Sequence, residues 1–250
     1  MHVEAMKHGE IFFETYSKSF SNPTIVEIGS KNVNGSIKAF APKPSTYIGL
    51  DFDEGNDVDI VITDPYSLPI ENDTADIVVT SSCFEHSQFF WLSFLEALRI
   101  TKPNGIIYIN APSGGVYHRY PSDNWRFYPD AGIALREWAK VSNYNPALLE
   151  SFIGWQNGTY SNDFVAVFVK DKTFYDLYQE RMVTKCLNPT NILLNDSDKP
   201  LNVVQRPQDE RRLEYVIQNM FKLIEHCEEK AELAEVKKFV SDVISEAIKL

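Results

Sequence analysis

Five short apolar runs rich in β-branched residues follow one another in the first half of the chain. They are TIVEIG at 24–29, TYIGLD at 46–51, DIVIT at 59–63, ADIVVTSS at 75–82 and GIIYINA at 105–111. Their apolar positions are consecutive and do not alternate with polar ones, a pattern typical of strands buried on both faces of a parallel sheet. The pattern predicts a doubly wound α/β fold with a mostly parallel sheet.

Apolar positions at helical spacing precede and interrupt these runs. Residues 5–20 carry a rough helical stripe that ends at the sequence SNP, and the segment 87–105 carries another, which ends at its final Pro-Asn-Gly. The second stripe is the expected crossover helix of a β-α-β unit. Two later runs, at 148–155 and 163–170, predict an antiparallel edge to the sheet.

The pattern changes after residue 170. A polar linker leads to about forty residues from Arg211 with helical periodicity, which predicts two amphipathic helices that pack on the main domain or form a homodimer. The sequence therefore predicts an N-terminal helix at 1–22, a ligand-binding α/β domain at 23–170 and a helical C-terminal extension at 171–250.

Composition narrows the classes of partner. The formal charge of −11 and the lack of a Lys/Arg block argue against nucleic acid or an anionic membrane as partner. No apolar stretch reaches the roughly 18 residues of a membrane helix, and the start of the chain has no signal-peptide pattern. Three widely spaced cysteines without a CxxC pair indicate reduced thiols, so we expect a cytoplasmic protein.

The loop after the first run is the expected ligand site, because open α/β sheets bind ligands beyond the carboxyl ends of their strands. Counting from Gly29, a dinucleotide loop needs further glycines where this chain has Lys31 and Asn34, so a nicotinamide or flavin dinucleotide fits poorly. A Walker loop fails as well, because no Lys follows Gly35. Asp51, at the end of the second run, is placed to accept hydrogen bonds from a ribose diol.

The segments VEIGS, YIGLD, DPYSLPIENDTADIVVTSSCFEH and FLEALRITKPNGIIYINAPS resemble, in order and spacing, the successive motifs of class I S-adenosylmethionine-dependent methyltransferases. The resemblance covers roughly residues 24–170 and implies S-adenosyl-L-methionine as the cofactor. It implies the following cofactor-binding residues: Glu27, Gly29, Ser30 and Gly35 in the first motif, Asp51 and Phe52 in the second, Asp64, Pro65 and Tyr66 in the third, and Ser81, Ser82 and Cys83 in the fourth.

Methyl transfer to a hydroxyl requires alignment of acceptor and methyl group and removal of a proton. Candidate catalytic residues are Glu85 and His86, just beyond the fourth run, and His118, after the fifth. Packing or capping of the next helix is an equally ordinary role for His86. No HxH motif or tight carboxylate cluster occurs, so the sequence predicts no metal site.

The stretch from 117 to 130 concentrates more polar and aromatic residues than a connection needs. Its candidate acceptor-binding residues are Arg119, Tyr120, Asp123, Trp125, Arg126 and Tyr128. Arginines recognise phosphate or carboxylate and aromatic rings stack on sugars or bases, which favours a sugar-like, phosphorylated or nucleotide-linked small molecule. Arginines that pair with aspartates to stiffen the loop explain the same composition.

The segment from 118 to 132 is similar to one in bacterial methyltransferases of surface polysaccharide biosynthesis. This resemblance favours O-methylation of a capsule or polysaccharide precursor. Two alternatives stay open: a catalytically silent binding module that acts with a partner enzyme, and a nicotinamide oxidoreductase.

Overall fold

The computed structural model describes residues 2–154, 162–205, 217–220 and 234–241. The chain divides into two units, Met1–Val204 and Gln205–Leu250. The first unit contains the sheet and every predicted site residue. The second unit is described at Gln205 and at 217–220 and 234–241, of which the last two ranges are helical. The predicted amphipathic pair and homodimer therefore largely lie outside the described residues.

The first unit is built on one eight-stranded sheet. Its strands are β1 (Thr24–Ile28), β2 (Thr46–Asp51), β3 (Ile60–Val61), β4 (Ala75–Ser81), β5 (Thr101–Pro112), β6 (Ala147–Gly154), β7 (Asp163–Val169) and β8 (Thr190–Leu194). Their order across the sheet is β3-β2-β1-β4-β5-β7-β6-β8. Strands β1 to β5 pair in parallel, and β7, β6 and β8 pair antiparallel. The predicted mostly parallel sheet with an antiparallel edge is confirmed.

Helices cover both faces of the sheet because the central strands are apolar on both sides. Helix α1 (Val3–Tyr16) packs on one face through buried aromatic side chains, of which Phe12 stacks on Tyr108 of β5 with ring centroids 4.4 Å apart. Helices α2 (Phe90–Ile100) and α3 (Asp130–Val141) pack on the other face. The predicted crossover helix is α2, whereas α3 was not predicted from the sequence.

Residues that the sequence assigned to a helical extension complete the sheet edge. Two 3-10 helices, Lys172–Leu177 and Met182–Lys185, lead into β8, which pairs with β6. Glu150 of β6 orders this connection, because its buried carboxylate accepts hydrogen bonds from the backbone N–H groups of Met182 and Val183, each at 2.8 Å. Within the described parts of the chain, no helix has the length and apolarity needed to cross a membrane.

Candidate cofactor and acceptor site

The first turn of the site follows β1. Gly29 has a φ of +82°, and a Cβ atom built there lies 2.7 Å from Sγ of Cys83, so a side chain is excluded both by the backbone and by the end of β4. The N–H groups of Gly29 and Ser30 donate to the carbonyl oxygen of Leu50 at 2.9 and 3.0 Å. These contacts hold the turn against the carboxyl ends of β2 and β4, where a ligand of an open α/β sheet is expected.

Asp51 connects this turn to the end of β2. Its Oδ2 accepts a hydrogen bond from the backbone N–H of Lys31 at 2.9 Å. Its Oδ1 accepts one from the backbone N–H of Phe52 at 2.7 Å and a long one from that of Asp53 at 3.4 Å. A carboxylate has about four acceptor positions, so one position of Oδ2 is open, and Oδ1 opens one when a ligand displaces the long Asp53 contact. The half-buried carboxylate is therefore oriented by the backbone and keeps acceptor capacity for hydroxyl groups of a ligand.

The remainder of the first loop docks onto the loop after β2. Asn32 donates through its backbone N–H to the carbonyl of Asn56 at 3.0 Å, and through Nδ2 to Asp57 at 3.0 Å. Its Oδ1 accepts from the backbone N–H of Gly35 at 2.9 Å. Gly35, with a φ of +128°, faces Met6 of α1. Gly35 and its neighbours thus fix the shape of the loop, and a direct contact of Gly35 with the cofactor stays a prediction.

The residues of the predicted third motif form an exposed turn. Asp64 accepts a hydrogen bond from the backbone N–H of Tyr66 at 2.8 Å, with Pro65 half-buried between them. The Tyr66 hydroxyl accepts one from the backbone N–H of Phe89 at 3.2 Å. Phe52 is 52% exposed, so an aromatic face and a carboxylate are both available to a ligand at this end of the sheet.

The end of β4 is ordered by β5. Ser81 is buried with its Oγ 3.5 Å from Oδ1 of Asn110, and the N–H of Ser82, at a φ of +52°, donates to the Asn110 carbonyl. Burial raises the pKa of Cys83 to about 12, so this thiol is neutral at pH 7. Ser81, Ser82 and Cys83 thus lie at the carboxyl end of β4, and Cys83 lies against the Gly29 turn that follows β1.

Glu27 lies inside the sheet. Its carboxyl group is buried and accepts a hydrogen bond from the Tyr47 hydroxyl at 2.7 Å. Burial raises the pKa of Glu27 to about 8, although the Tyr47 hydrogen bond opposes the shift. This contact joins β1 to β2, and its predicted role in cofactor binding stays a prediction.

We expect Glu27→Gln to stabilise the protein at pH 9 and to have little effect near pH 5. The pKa of Glu27 is about 4.5 in the unfolded chain and about 8 in the folded one, so proton binding by Glu27 stabilises the folded state. This stabilisation is complete below pH 4.5 and is lost as the pH rises to about 8. At pH 9 the free energy of unfolding of the variant should exceed that of the parent by on the order of a few kcal/mol. Urea unfolding at both pH values measures the difference. If the variant and the parent differ in free energy of unfolding by the same amount at pH 5 and at pH 9, the raised pKa of Glu27 is contradicted.

The three candidate catalytic residues lie together. Oε1 of Glu85 is 3.6 Å from Nε2 of His86, and the rings of His86 and His118 are perpendicular with centroids 5.0 Å apart. Burial raises the pKa of Glu85 to about 8 and lowers the pKa of His86. The side chain of His118 is 46% exposed, so the cluster extends from the protein interior to the surface.

The segment that carries His118 is fixed to the segment after β4. The Glu85 carbonyl accepts hydrogen bonds from the backbone N–H groups of Asn124 and Trp125 at 2.7 and 3.2 Å. Asp123 receives both terminal nitrogens of Arg126, at 2.5 and 2.7 Å, and this pairing lowers the pKa of Asp123 to about 2. Arg126 and Asp123 therefore stiffen the loop, which is the structural role that composition left open. A contact of either residue with an acceptor stays a prediction.

Other members of the loop face outward. Arg119 is exposed and forms no hydrogen bond or ion pair with any residue that the structure describes. Tyr120 is 60% and Tyr128 56% exposed, and Trp125 is 37% exposed while its Nε1 donates to the Ser87 carbonyl at 2.8 Å. The loop at 116–128, which we call the braced loop because the Asp123–Arg126 pair stiffens it, thus presents a cation and three aromatic side chains. The same loop carries His118.

A separate cavity of about 480 Å³ lies beside β8. Its lining comes from the connection between β7 and β8, with Lys172, Tyr175, Gln179 and Arg181, and from the residues directly after β8, Asn195 and Asp196. These residues follow the antiparallel edge and include none of the side chains at the parallel strand ends. We therefore place the functional site at the parallel strand ends, where the oriented carboxylate and the glycine turn meet.

Residues 26–109 match the family model described as "Methyltransferase domain". Residues 26–109 therefore carry a methyltransferase domain. The match runs from β1 into β5 and so includes the glycine turn, Asp51 and the end of β4. S-adenosylmethionine is the cofactor of this domain. The residues present fit it, because the glycine turn leaves no room for a Cβ and the Asp51 carboxylate, oriented by backbone N–H groups, keeps acceptor capacity for hydroxyl groups.

Solved structures of the same fold resemble the chain at low sequence identity. A 1,6-didemethyltoxoflavin-N1-methyltransferase of Burkholderia thailandensis, solved with 1,6-didemethyltoxoflavin and S-adenosylhomocysteine, is 13% identical with a TM-score of 0.50, covering 67% of this chain and 79% of that chain. The [4+2]-cyclase SpnF is 11% identical with a TM-score of 0.49, covering 66% and 81%. The YcgJ protein of Bacillus subtilis is 12% identical with a TM-score of 0.47, covering 68% and 100%. No curated protein sequence matches the chain.

Several residues that organise the methyltransferase domain were not identified from its sequence. Tyr47 orients Glu27, and Ser122 accepts the Nδ1 hydrogen of His86 through its backbone carbonyl at 2.5 Å. Asp163 of β7 lies 3.1 Å from Nδ1 of His8 in α1, although 155 positions separate the two residues. No local pattern reports such contacts, because they depend on which strands become neighbours.

Proposed function

We propose that this chain transfers the methyl group of S-adenosylmethionine to an oxygen of a sugar-like, phosphorylated or nucleotide-linked small molecule. The observation that carries the proposal is the braced loop at 116–128, which presents the unpaired cation of Arg119 and three exposed aromatic side chains beside His86 and His118. Arginine recognises phosphate or carboxylate, and aromatic faces stack on sugar rings or bases. The proposed setting is the biosynthesis of a capsule or surface polysaccharide in the cytoplasm.

When bound, S-adenosylmethionine supplies a methyl group on a sulfonium, which an acceptor oxygen attacks in line. In this proposal Asp51 holds the ribose hydroxyls, Asp64, Pro65 and Tyr66 lie beside the adenine, and the Gly29 turn admits the methionine portion. Glu85, His86 and His118 lie on the acceptor side and take part in removing the hydroxyl proton. The geometry supports this division, since the first group gathers at the ends of β1 to β3 and the second follows β4 and β5.

Methyl transfer from S-adenosylmethionine to a panel of nucleotide sugars and sugar phosphates tests the proposal directly. Transfer to none of them, by protein that still binds S-adenosylhomocysteine in a calorimeter, would favour a catalytically silent module that acts with a partner enzyme. Transfer to a nitrogen instead of an oxygen, read from the methylated product by mass spectrometry, would contradict the proposed acceptor class.

Arg119→Ala should raise the KM for a phosphorylated acceptor about tenfold or more and change kcat little. A charge-assisted hydrogen bond contributes roughly 1.5–3 kcal/mol, and the exposed Arg119 has no structural partner to lose among the described residues. Lys199→Ala removes another exposed cation, remote in sequence from the loop, and is the matched control. Steady-state kinetics with the acceptor varied measures both variants. An unchanged KM for Arg119→Ala would remove this residue from the acceptor site.

A further inference from the structure

Three metal-ligating side chains converge beside the proposed acceptor loop. Glu85, His86 and His118 each offer one ligand atom, and these atoms all lie within 4.8 Å of one another. Glu85 and His86 follow β4 directly, whereas His118 is brought in by the braced loop after β5. Because 31 positions lie between His86 and His118, the sequence showed no metal motif and predicted no metal site.

The two histidines are held with the same ring nitrogen available. Nδ1 of His86 lies 2.5 Å from the Ser122 carbonyl oxygen, and Nδ1 of His118 lies 3.1 Å from the Val116 carbonyl oxygen. A carbonyl oxygen only accepts, so Nδ1 carries the hydrogen in both rings and Nε2 of each neutral ring keeps its lone pair. Histidine ligands of metals are oriented by this kind of hydrogen bond to a backbone carbonyl.

One oxygen of the Glu85 carboxyl group lacks a hydrogen-bond partner. Glu85 is 1% exposed, and its Oε2 is buried without a hydrogen-bond partner in the part of the chain that the structure describes. A buried, unpartnered carboxylate oxygen is costly, and proteins meet such groups by pairing them or by coordinating a metal. Oε1 of the same carboxylate lies 3.6 Å from Nε2 of His86, a separation at which both atoms can ligate one ion.

We propose that Glu85, His86 and His118 bind one divalent transition-metal ion. Two imidazoles and one carboxylate form the ligand set of catalytic zinc and non-haem iron sites, which leave coordination positions open for substrate. Imidazole ligands favour zinc and its neighbours over magnesium. The role of the ion rests on the function proposed above: it polarises the acceptor oxygen and favours loss of its proton.

Calorimetric titration of the full chain, stripped with a chelator and free of cofactor and acceptor, tests the site. We expect one Zn²⁺ per chain with affinity lowered about 100-fold or more in His118→Ala, since loss of even an outer-shell partner costs 10–100-fold. His118 is half exposed, so its removal should leave the fold intact, and the isosteric Glu85→Gln gives a second test of the buried ligand. The control is Glu71→Gln, which removes an exposed carboxylate elsewhere and should not change Zn²⁺ binding.

Co²⁺ supplies an independent readout, because its visible absorption bands report nitrogen and oxygen ligation. We expect these bands in the parent protein and not in His118→Ala, and we expect no measurable Mg²⁺ binding. Zn²⁺ binding of equal affinity in the parent and both site variants would overturn the proposal, as would no Zn²⁺ binding by the parent. Methyl transfer is assayed separately, so a chain that binds Zn²⁺ through these residues and methylates nothing would overturn the proposed function and leave the metal site standing.

Discussion

Replacing Asp51 with alanine is expected to lower the affinity for S-adenosylhomocysteine about 100-fold. The carboxylate is already oriented by the backbone N–H groups of Lys31 and Phe52, and its remaining lone pairs are proposed to accept both ribose hydroxyls. Two hydrogen bonds to a charged acceptor contribute about 3 kcal/mol together, and every 1.4 kcal/mol corresponds to a tenfold change in affinity. Isothermal titration calorimetry with S-adenosylhomocysteine measures the loss.

Two further variants make this result specific to Asp51. Asp53→Ala removes the neighbouring acid, whose side chain is 71% exposed and pairs with Lys31 at 3.1 Å, and should change the affinity less than threefold because exposed ion pairs contribute little. Asp51→Asn keeps one acceptor oxygen for the loop, so it separates loss of the ligand contact from loosening of the loop. Affinities of Asp51→Ala and Asp51→Asn equal to that of the parent protein would exclude Asp51 from the cofactor site.

Replacing Asp163 with alanine is expected to lower the free energy of unfolding by about 3–5 kcal/mol. Asp163 is fully buried at the start of β7 and lies 3.1 Å from Nδ1 of His8 and 3.1 Å from Nε2 of His2, while Asn110 donates to it at 3.2 Å. Burial opposes ionisation of Asp163, but the two histidines outweigh it and lower its pKa to about 2. Removing the Asp163 carboxylate leaves His8 and Asn110 buried without their charged partner, and breaking a buried pair in this way typically costs about 3–5 kcal/mol.

Urea unfolding measures the stability of the Asp163 variant, and hydrogen exchange shows where the loss occurs. We expect faster exchange of the amides in α1, because the polar contact of His8 with Asp163 joins this helix to β7. Asp198→Ala removes an exposed aspartate and should change the stability by less than about 0.5 kcal/mol. If Asp163→Ala also changes the free energy of unfolding by less than about 0.5 kcal/mol and leaves amide exchange in α1 unchanged, the contacts of Asp163 do not hold this helix.

Much of the fold was available from the sequence because its signals are local. Consecutive β-branched residues marked β1 to β5, and their continuity indicated strands buried on both faces. The runs at 148–155 and 163–170 correctly indicated an antiparallel edge. Helix α3 was missed because its first turn lies within a segment whose polar and aromatic residues suggested a binding loop. Strand β8 was missed because its run of five residues leads directly into the polar stretch that begins at Asn195.

The local geometry of the proposed cofactor site was also predictable, since each of its elements directly follows one strand, whereas cofactor binding by these residues stays a prediction. A glycine at a positive φ after β1 and an acid at the end of β2 are positions that the chain itself specifies. The acceptor half was only partly predictable. Composition pointed to residues 117–130 but could not separate Arg126, which braces Asp123, from Arg119, which is unpaired among the described residues.

The sequence by itself determined the order of strands along the chain, the parallel core and the position of the glycine turn after β1, because hydrophobic periodicity and glycine turns act over a few residues. Only the tertiary structure decided which distant side chains meet. The pairing of β4 with β5 and the hydrogen bonds from Asn124 and Trp125 to Glu85 bring His118 against His86, and β7 carries Asp163 to His8. Such contacts depend on the order of the strands in the sheet and on which side chains become buried. Both bring together residues that are far apart in the sequence, so no local sequence pattern predicts them.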